Sequence, residues 1–320
     1  MEIARILVDG DPHLSSKNRG NHRDYPKESL EYFRFVTEIG RQYGCTYNVN
    51  LGDFTFGRFH TIEYRQQVDE ALKERQNQFT NGFYMIRGNH DIATYGKTEY
   101  EYYLERGAFK KPENISIGRT NISMVNFGEY NTQEPLITED KYNILLTHGF
   151  YKFKNSELPP YGEAVILDDF SKWYGLNYII SGHIHHEHAF SGMINSEDKV
   201  AKRECYVHYL PCSARPDYEG DNTPSKGAVD IIRIFDDAEP IITRIEIDLL
   251  KMEESFDIEA INKAKEHEAR VSVDVSDIVQ ELNNYTREVG DPILQIETMD
   301  NIKDSIKQRA INLLKLGNEE

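Results

Sequence analysis

The sequence has few cysteines and lacks any long run of apolar residues. Cys45, Cys205 and Cys212 are the only cysteines among 320 residues, and none belongs to a Cys-x-x-Cys pair. Their odd number and wide spacing argue against a disulfide framework or a thiolate zinc site, so we interpret them as reduced structural residues. No stretch approaches the ~18 consecutive apolar residues of a membrane span. We therefore expect no membrane association.

Basic residues are scarce relative to acidic ones. The chain carries 37 Lys and Arg against 54 Asp and Glu, for a formal net charge of −17. This balance argues against a protein that coats nucleic acid through a continuous basic surface, although it permits a local basic groove. The opening residues show no basic region, apolar region or cleavage site of a secretory signal. We expect a cytoplasmic location.

The first two hundred residues alternate short apolar runs with amphipathic stretches, the rhythm of an α/β domain. One helix is predicted from Pro26 to about Gly44 and a second over residues 61–79. Strands are predicted over residues 3–8, 46–51, 83–86, 142–147 and 176–181.

The pattern of predicted secondary structure changes at about residue 187, from alternating strands and helices to successive strands. Four further strands are predicted over residues 187–193, 204–210, 228–235 and 241–249. Their alternation of apolar and polar residues suggests a sheet with one solvated face. Beyond residue 250 the sequence is strongly polar, with helical patterns over 258–268, 276–289 and 300–316. We therefore predict a main domain over residues 1–250 and a mostly helical appendage over 251–320.

Side chains that bind metals follow five of the predicted strands. They are Asp11 with His13, Asp53, Asn89 with His90, His148, and His183 with His185. Because ligands bind outside the carboxyl ends of the strands in an open α/β sheet, these residues are expected to converge. The set combines oxygen and imidazole donors without a thiolate, which suits manganese, iron or zinc. Manganese is our first choice.

The donors suffice for two cations. A pair of divalent ions ~3.5 to 4 Å apart activates a water and stabilises the leaving oxygen in displacement at phosphorus. Such a pair needs a bridging carboxylate, for which Asp53 is the candidate. His90 is adjacent to Asn89 but offset from it, so it is placed to protonate the leaving oxygen or to stabilise its charge.

Taken together, these residues resemble the calcineurin-like metallophosphoesterases, and the match covers roughly residues 1 to 250. The motifs in chain order are Asp11-Pro12-His13, Gly52-Asp53, Gly88-Asn89-His90-Asp91, His148-Gly149 and Gly182-His183-Ile184-His185. The resemblance implies a sandwich of two sheets flanked by helices, with His90 as the catalytic histidine. It also implies two metal sites, one held by Asp11, His13, Asp53 and His185 and the other by Asp53, Asn89, His148 and His183.

Within that family, the segment from Tyr209 to Arg215 and the pair Lys226-Gly227 resemble the SbcD-type DNA repair nucleases. Two departures from that branch are Cys212, which replaces a glycine, and Phe56, where many members have His or Asp. The branch implies a partner ATPase of the SbcC coiled-coil type, bound through helices beyond the nuclease core. Residues 251–320 fit that role, and equally fit self-association into a homodimer or a cap over the site.

The loop after the first motif is basic. Lys17, Arg19 and Arg23 are candidate contacts for a phosphodiester backbone. A solvated basic loop explains the same residues.

Three hypotheses follow from the sequence. The first is a manganese-dependent nuclease subunit acting on DNA. The second is a phosphoesterase of the same family acting on a phosphoprotein, a nucleotide or a small phosphate ester. The third is a non-catalytic scaffold that binds metals, against which the intact His90 argues, because a purely architectural site needs no proton donor.

Overall fold

A computed structural model describes residues 1–93, 95–156, 164–212, 226–266, 296, 303 and 307–312. The chain divides into two compact units, Met1–Phe256 and Asp257–Glu320. In the second unit the described residues include a helix over 258–266 and a helical stretch over 307–312. The helix predicted over 276–289 lies outside the described residues, as does most of that predicted over 300–316. Among the described helices, none is both long and apolar enough to cross a membrane.

The first unit contains thirteen strands and four α-helices among its described residues. The strands are β1 Glu2–Asp9, β2 Tyr47–Asn50, β3 Gly82–Met85, β4 Ile115–Ile117, β5 Thr120–Val125, β6 Tyr142–His148, β7 Tyr151–Lys152, β8 Val165–Ile166, β9 Tyr178–Gly182, β10 His188–Asn195, β11 Lys202–Tyr209, β12 Lys226–Phe235 and β13 Ile241–Asp248. The helices are α1 Tyr25–Gln42, α2 Ile62–Gln78, α3 Glu99–Glu105 and α4 Met252–Ser255.

The strands form two large sheets. A five-stranded sheet has the order β13-β12-β1-β2-β3, and a six-stranded sheet has the order β10-β11-β9-β6-β5-β4. In the first sheet β1, β2 and β3 run parallel. In the second, β5, β6, β9 and β11 run parallel. Each sheet therefore carries several carboxyl strand ends on one edge.

The helices begin where the sequence provides caps. Asp24 accepts a hydrogen bond from the backbone of Lys27 and Pro26 stands in the first turn of α1, which is the favoured arrangement for a helix start. Thr61 caps α2 in the same way through the backbone of Tyr64. Both helices lie on the outer side of the five-stranded sheet, and their apolar faces form a core with it.

A second core fills the space between the two sheets. It includes Ile6 and Val49 from the five-stranded sheet and Ile144 and Leu146 from the six-stranded sheet. A third core, around Trp173, covers the outer face of the six-stranded sheet. The predicted fold class, a two-sheet sandwich flanked by helices, is confirmed.

The predicted strands are all present, with ends displaced by two residues or fewer. The prediction of one sheet from the strands after residue 187 is wrong, because β10 and β11 join the six-stranded sheet whereas β12 and β13 join the other. Alternating apolar and polar residues show which face of a strand is buried, but they do not show which strands pair with it.

Strand β5 is not among the predicted strands; it is fully buried although half of its residues are polar. Its Asn121 donates to the side chains of Asn143 and Thr138, and Ser123 accepts from the backbone of Leu136. Long-range partners thus allow polar residues inside the sandwich.

Candidate metal centre

The parallel strands deliver the predicted ligands to one edge. Asp9, Asn50 and Met85 stand in register at the ends of β1, β2 and β3, so the residues that follow them emerge side by side. In the second sheet His148 pairs with Gly182 at the ends of β6 and β9. The motifs of both sheets therefore meet at the carboxyl ends of their parallel strands.

The backbone is unusual at these strand ends. Among the described residues, five that are not glycine have a positive φ, and four of them are predicted ligands: Asp11 (49°), His13 (45°), Asp53 (51°) and His183 (87°). Positive φ is uncommon for residues with a Cβ atom and costs of order 1 to 3 kcal/mol each. The surrounding structure stabilises this geometry at the ends of the strands.

Two glycines allow the loops after β2 and β3 to approach each other. A Cβ atom on Gly88 would lie 2.2 Å from Oδ1 and 2.3 Å from the backbone nitrogen of Asp53. Gly52 has φ +109°, and a Cβ atom there would lie 2.7 Å from the backbone nitrogen of Gly88. Only residues without a side chain fit both positions. The glycines of the two motifs thus bring Asp53 next to the loop that carries Asn89.

Asp91 holds the same two loops together. Its buried carboxyl accepts hydrogen bonds from the backbone nitrogens of Gly88 at 3.0 Å, Phe54 at 3.2 Å and Thr55 at 3.4 Å. Burial and the nearby charge of Asp53 raise the pKa of Asp91 to about 7. The sequence analysis assigned no role to Asp91, although it follows directly after Asn89 and His90 in their motif.

A first group of donors comprises Asp11, His13, Asp53 and His185, one atom of each lying within 4.8 Å of the others. The Nε2 atoms of His13 and His185 are 3.1 Å apart. His13 Nε2 also lies 3.6 Å from Asp53 Oδ2. The structure thus brings together the four residues predicted for one metal.

A second group lies on the other side of Asp53. Asn89 Oδ1 is 2.8 Å from His148 Nε2 and 2.9 Å from His183 Nδ1. His148 Nε2 is 3.5 Å from Asp53 Oδ2. The same carboxylate oxygen therefore lies at similar distances from a histidine of each group, as a bridging ligand requires.

The histidines are in the state that binds metals. His148 Nδ1 lies 2.9 Å from the carbonyl oxygen of Leu51. In the tautomer that donates from Nδ1 to this carbonyl, Nε2 keeps its lone pair for the centre. Burial lowers the pKa of His13 and of His148, and it lowers that of His183 to about 4. These rings are neutral at physiological pH.

The buried carboxylates favour a bound cation. Asp11 is fully buried, and this burial, together with the charge of Asp53, raises the pKa of Asp11 well above its ordinary value. Two buried carboxylates close to neutral imidazoles are stabilised by divalent positive charge. Oxygen and imidazole donors fit two cations of the manganese, iron or zinc class.

His90 lies at the open side of the first group. Its backbone nitrogen donates to Asp53 Oδ1 at 2.8 Å, whereas its side chain is exposed. The His90 ring centroid is 5.1 Å from that of His13 and 5.0 Å from that of Phe56. His90 is thus held beside the donors without being one of the first group.

The three predicted basic contacts occupy different surroundings. The Arg19 guanidinium lies 3.5 Å from the ring centroid of Phe56, which places it at the mouth of the centre. Lys17 is exposed. Arg23 Nε donates to the carbonyl oxygen of Glu253 at 2.9 Å. Contact of each with a substrate stays a prediction, for which Arg19 has the most suitable position.

Cys212 is a residue at the centre that the sequence analysis missed. Its sulfur and one nitrogen each from His13 and His185 lie within 4.8 Å of one another, whereas the sequence analysis treated Cys212 as structural only. The signal that could have found it is its position just after β11, since the other donors also follow strands. Cys212 was not considered as a metal ligand because it does not belong to a Cys-x-x-Cys pair.

A sandwich with a two-part donor cluster at its strand ends defines the class of the protein, a metallophosphoesterase. A family model described as calcineurin-like phosphoesterase matches residues 4–187, more than half of the chain. The chain belongs to this family.

Comparison with individual proteins found similar solved structures but no curated sequence relative. No curated protein matches this chain. Among solved structures, a dimetal phosphatase from Danio rerio is 10% identical, with 78% of this chain and 100% of that chain covered and a TM-score of 0.45. Vps29 from Chaetomium thermophilum is 9% identical, with the same coverage and a TM-score of 0.33.

Proposed function

We propose that this phosphoesterase hydrolyses phosphodiesters in DNA, as the nuclease subunit of an SbcD-type complex, with two divalent cations of which manganese is the first choice. The observation that carries the hydrolytic part is the position of Asp53 Oδ2, 3.6 Å from His13 Nε2 and 3.5 Å from His148 Nε2. A carboxylate shared between two donor groups suits a dinuclear centre.

The residues divide the work of hydrolysis. Two cations held by the two donor groups would supply an activated water for attack on phosphorus and positive charge for the phosphoryl oxygens. Asp53 would contribute its carboxylate to both donor groups. His90, with its exposed ring, donates a proton to the leaving oxygen of the substrate.

Arg19 supports a phosphate substrate at the mouth of the centre. Its guanidinium stacks on Phe56, whose ring contacts His90. Arginine presents several donors to phosphate oxygens in a fixed geometry. Arg19 therefore neutralises a phosphate next to the one that is cleaved.

The choice of DNA depends on the segments that resemble the SbcD-type nucleases. Tyr209 ends β11 and Lys226-Gly227 opens β12, whereas residues 213–225 lie outside the described residues. The proposed partner is an SbcC-type ATPase bound by residues 251–320. Self-association of that region into a homodimer is the alternative.

The substrate class is tested by assaying labelled linear DNA, a phosphodiester dye and a phosphomonoester dye side by side, with manganese and with magnesium. We expect manganese-dependent cleavage of the DNA and the diester. Rapid monoester hydrolysis with inert DNA would instead favour a phosphatase of the same family. No turnover of any substrate, with metals bound, would favour the scaffold.

The roles of His90 and Asp53 are tested separately. We expect His90→Ala to lower kcat by about 10² to 10⁴, the usual contribution of a positioned proton donor, while two metals stay bound. Asp53→Asn should lose both activity and metal, because the bridge is removed. Metal content by mass spectrometry and initial rates with the diester dye measure the difference.

A matched control is His60→Ala, since His60 is an exposed histidine on the loop before α2. It should retain normal rates and metal content. Normal activity of the His90 variant would show that the assignment of His90 as proton donor is wrong.

A further inference from the structure

A thiol lies next to the first donor group. The sulfur of Cys212 and one nitrogen each of His13 and His185 form a set whose atoms all lie within 4.8 Å of one another. The same two histidines belong to the set that includes Asp11 and Asp53. Cys212 is 4% exposed and forms no disulfide. The thiol thus adds to a site already built from two imidazoles and two carboxylates.

The topology accounts for this position. Strand β11 runs parallel to β9, with Tyr209 paired to Ser181. The backbone nitrogen of Leu210 continues this ladder by donating to the carbonyl oxygen of Ser181 at 3.0 Å. Because β9 and β11 end at the same level, residues shortly after them reach the same edge. Cys212 follows β11 much as His183 and His185 follow β9.

The geometry of the two histidines indicates a ligand at this point. Their Nε2 atoms face each other at 3.1 Å, and His13 is almost completely buried. The two imidazoles turned toward each other belong both to the group with Asp11 and Asp53 and to the group with Cys212, and nitrogen, oxygen and sulfur donors are of the kind that holds a transition metal.

We propose that Cys212 is a sulfur ligand of the cation held by His13 and His185. On binding, the Cys212 thiol releases its proton to solvent and the sulfur lone pair forms the bond to the metal. This inference rests on the metal centre of the proposed function and not on the choice of substrate.

A sulfur ligand changes which metal the position prefers. Thiolate is a soft donor that favours zinc and iron, whereas manganese prefers carboxylate, carbonyl and water oxygens. The first position is therefore biased toward zinc or iron, and the second, with Asn89, His148 and His183, has oxygen and imidazole donors only. The two cations of the native protein are expected to differ in kind.

The test is cobalt substitution of the full-length chain. Cobalt bound to thiolate gives a sulfur-to-metal charge-transfer absorption in the near ultraviolet, which oxygen and nitrogen donors do not. We expect this band in the wild-type protein and its loss in Cys212→Ser, with the visible cobalt absorption retained. Cys45→Ser and Cys205→Ser are matched controls, because both cysteines are buried, and they should keep the band.

Metal selectivity is the second readout. Cys212→Ser should lower the affinity for zinc relative to manganese by about tenfold or more. Loss of a residue that only hydrogen-bonds to a metal ligand already lowers metal affinity by about tenfold, and loss of a direct ligand should cost at least as much. Competition titration with a chromophoric chelator measures the ratio. An unchanged ratio would contradict the proposal.

The wild-type protein alone also decides the question, in case the serine variant does not fold. X-ray absorption of the zinc-loaded protein should show sulfur at about 2.3 Å. Binding of two metal ions without sulfur scattering or the charge-transfer band would overturn the role of Cys212 and leave the dinuclear centre standing. Failure to bind any divalent cation would overturn both this inference and the proposed function.

Discussion

Arg75 provides a test of how the strand end that precedes Asp11 is held. Its side chain is completely buried. Nη1 donates to Asp9 Oδ2 at 3.0 Å, Nε to Thr37 Oγ1 at 3.0 Å and Nη2 to the carbonyl oxygen of Phe33 at 3.1 Å. Asp9 is the last residue of β1, so this ion pair connects α1, α2 and the strand that leads to the centre.

The expected effect of Arg75→Met is a loss of about 3 to 5 kcal/mol in the free energy of unfolding, the usual cost of removing one partner of a buried ion pair. The variant keeps an apolar side chain at residue 75. Among the described residues, the buried Asp9 carboxylate then keeps only the side-chain amides of Asn48 and Asn50 as donors. Asp9→Asn removes the opposite charge and should cost a similar amount.

The double variant Asp9→Asn with Arg75→Met removes both charges. Because no buried charge is then uncompensated, its loss should be smaller than the sum of the single losses by about 1 to 3 kcal/mol. Urea unfolding in the presence of excess chelator measures all four proteins. Fluorescence of the single tryptophan, Trp173, and far-ultraviolet circular dichroism should report coincident transitions, as two-state analysis requires.

The control is Arg34→Met on α1. Arg34 lies 3.7 Å from Glu70 and 3.9 Å from Glu74 in partly exposed pairs, and such pairs contribute about 0 to 1 kcal/mol. A loss below about 1 kcal/mol for Arg75→Met, or strict additivity of the two single losses, would refute the argument that a buried charge pair holds this strand end.

Two further predictions concern packing at the centre and pH dependence. Gly88→Ala should displace Asp53 and abolish metal binding, because the new Cβ would lie 2.3 Å from the Asp53 backbone nitrogen; calorimetric titration measures this. The control Gly107→Ala also strains its own turn, since Gly107 has φ +70°, but nothing lies within 4 Å of the new Cβ, so this variant should bind metal normally. Burial, followed by the charge of Arg244, lowers the pKa of His208 from 6.5 to about 3. Between these two pKa values the unfolded chain therefore binds more protons at His208 than the folded chain does. The contribution of His208 to the free energy of unfolding is complete above pH 6.5 and falls as the pH drops, by up to about 1.4 kcal/mol per pH unit. His208→Gln should flatten this slope in urea unfolding between pH 7 and 5, and parallel slopes would contradict the assignment.

Much of the fold followed from local patterns. The short apolar run before Asp11 and the helical spacing after Pro26 depend on near neighbours, and both appear as predicted. The division of the later strands between two sheets was missed, because the partner of a strand is chosen by residues far away in sequence. Strand β5 was missed for the same reason. Its polar residue Asn121 can be buried because its side chain donates hydrogen bonds to Asn143 and Thr138, which lie later in the sequence.

The centre shows the same division. The residue types that bind metals were recognisable because each motif follows an apolar run, and parallel strands place such positions on one edge. The role of Asp91 depends on backbone nitrogens of a different loop, and the position of Cys212 depends on the pairing of β11 with β9. The position of each residue after a strand is visible in the sequence, but the contact that it makes is not.

By itself, the sequence determined the chemical character of this protein: most of its longer strands and helices, and the oxygen and imidazole donors that follow the strands. Those properties depend on the residues and their immediate neighbours. Only the tertiary structure decided that one oxygen of Asp53 lies between two histidines and that Cys212 reaches the same donors. Distances of a few ångströms between side chains remote in sequence depend on strand register and loop approach, which only the complete packed chain specifies.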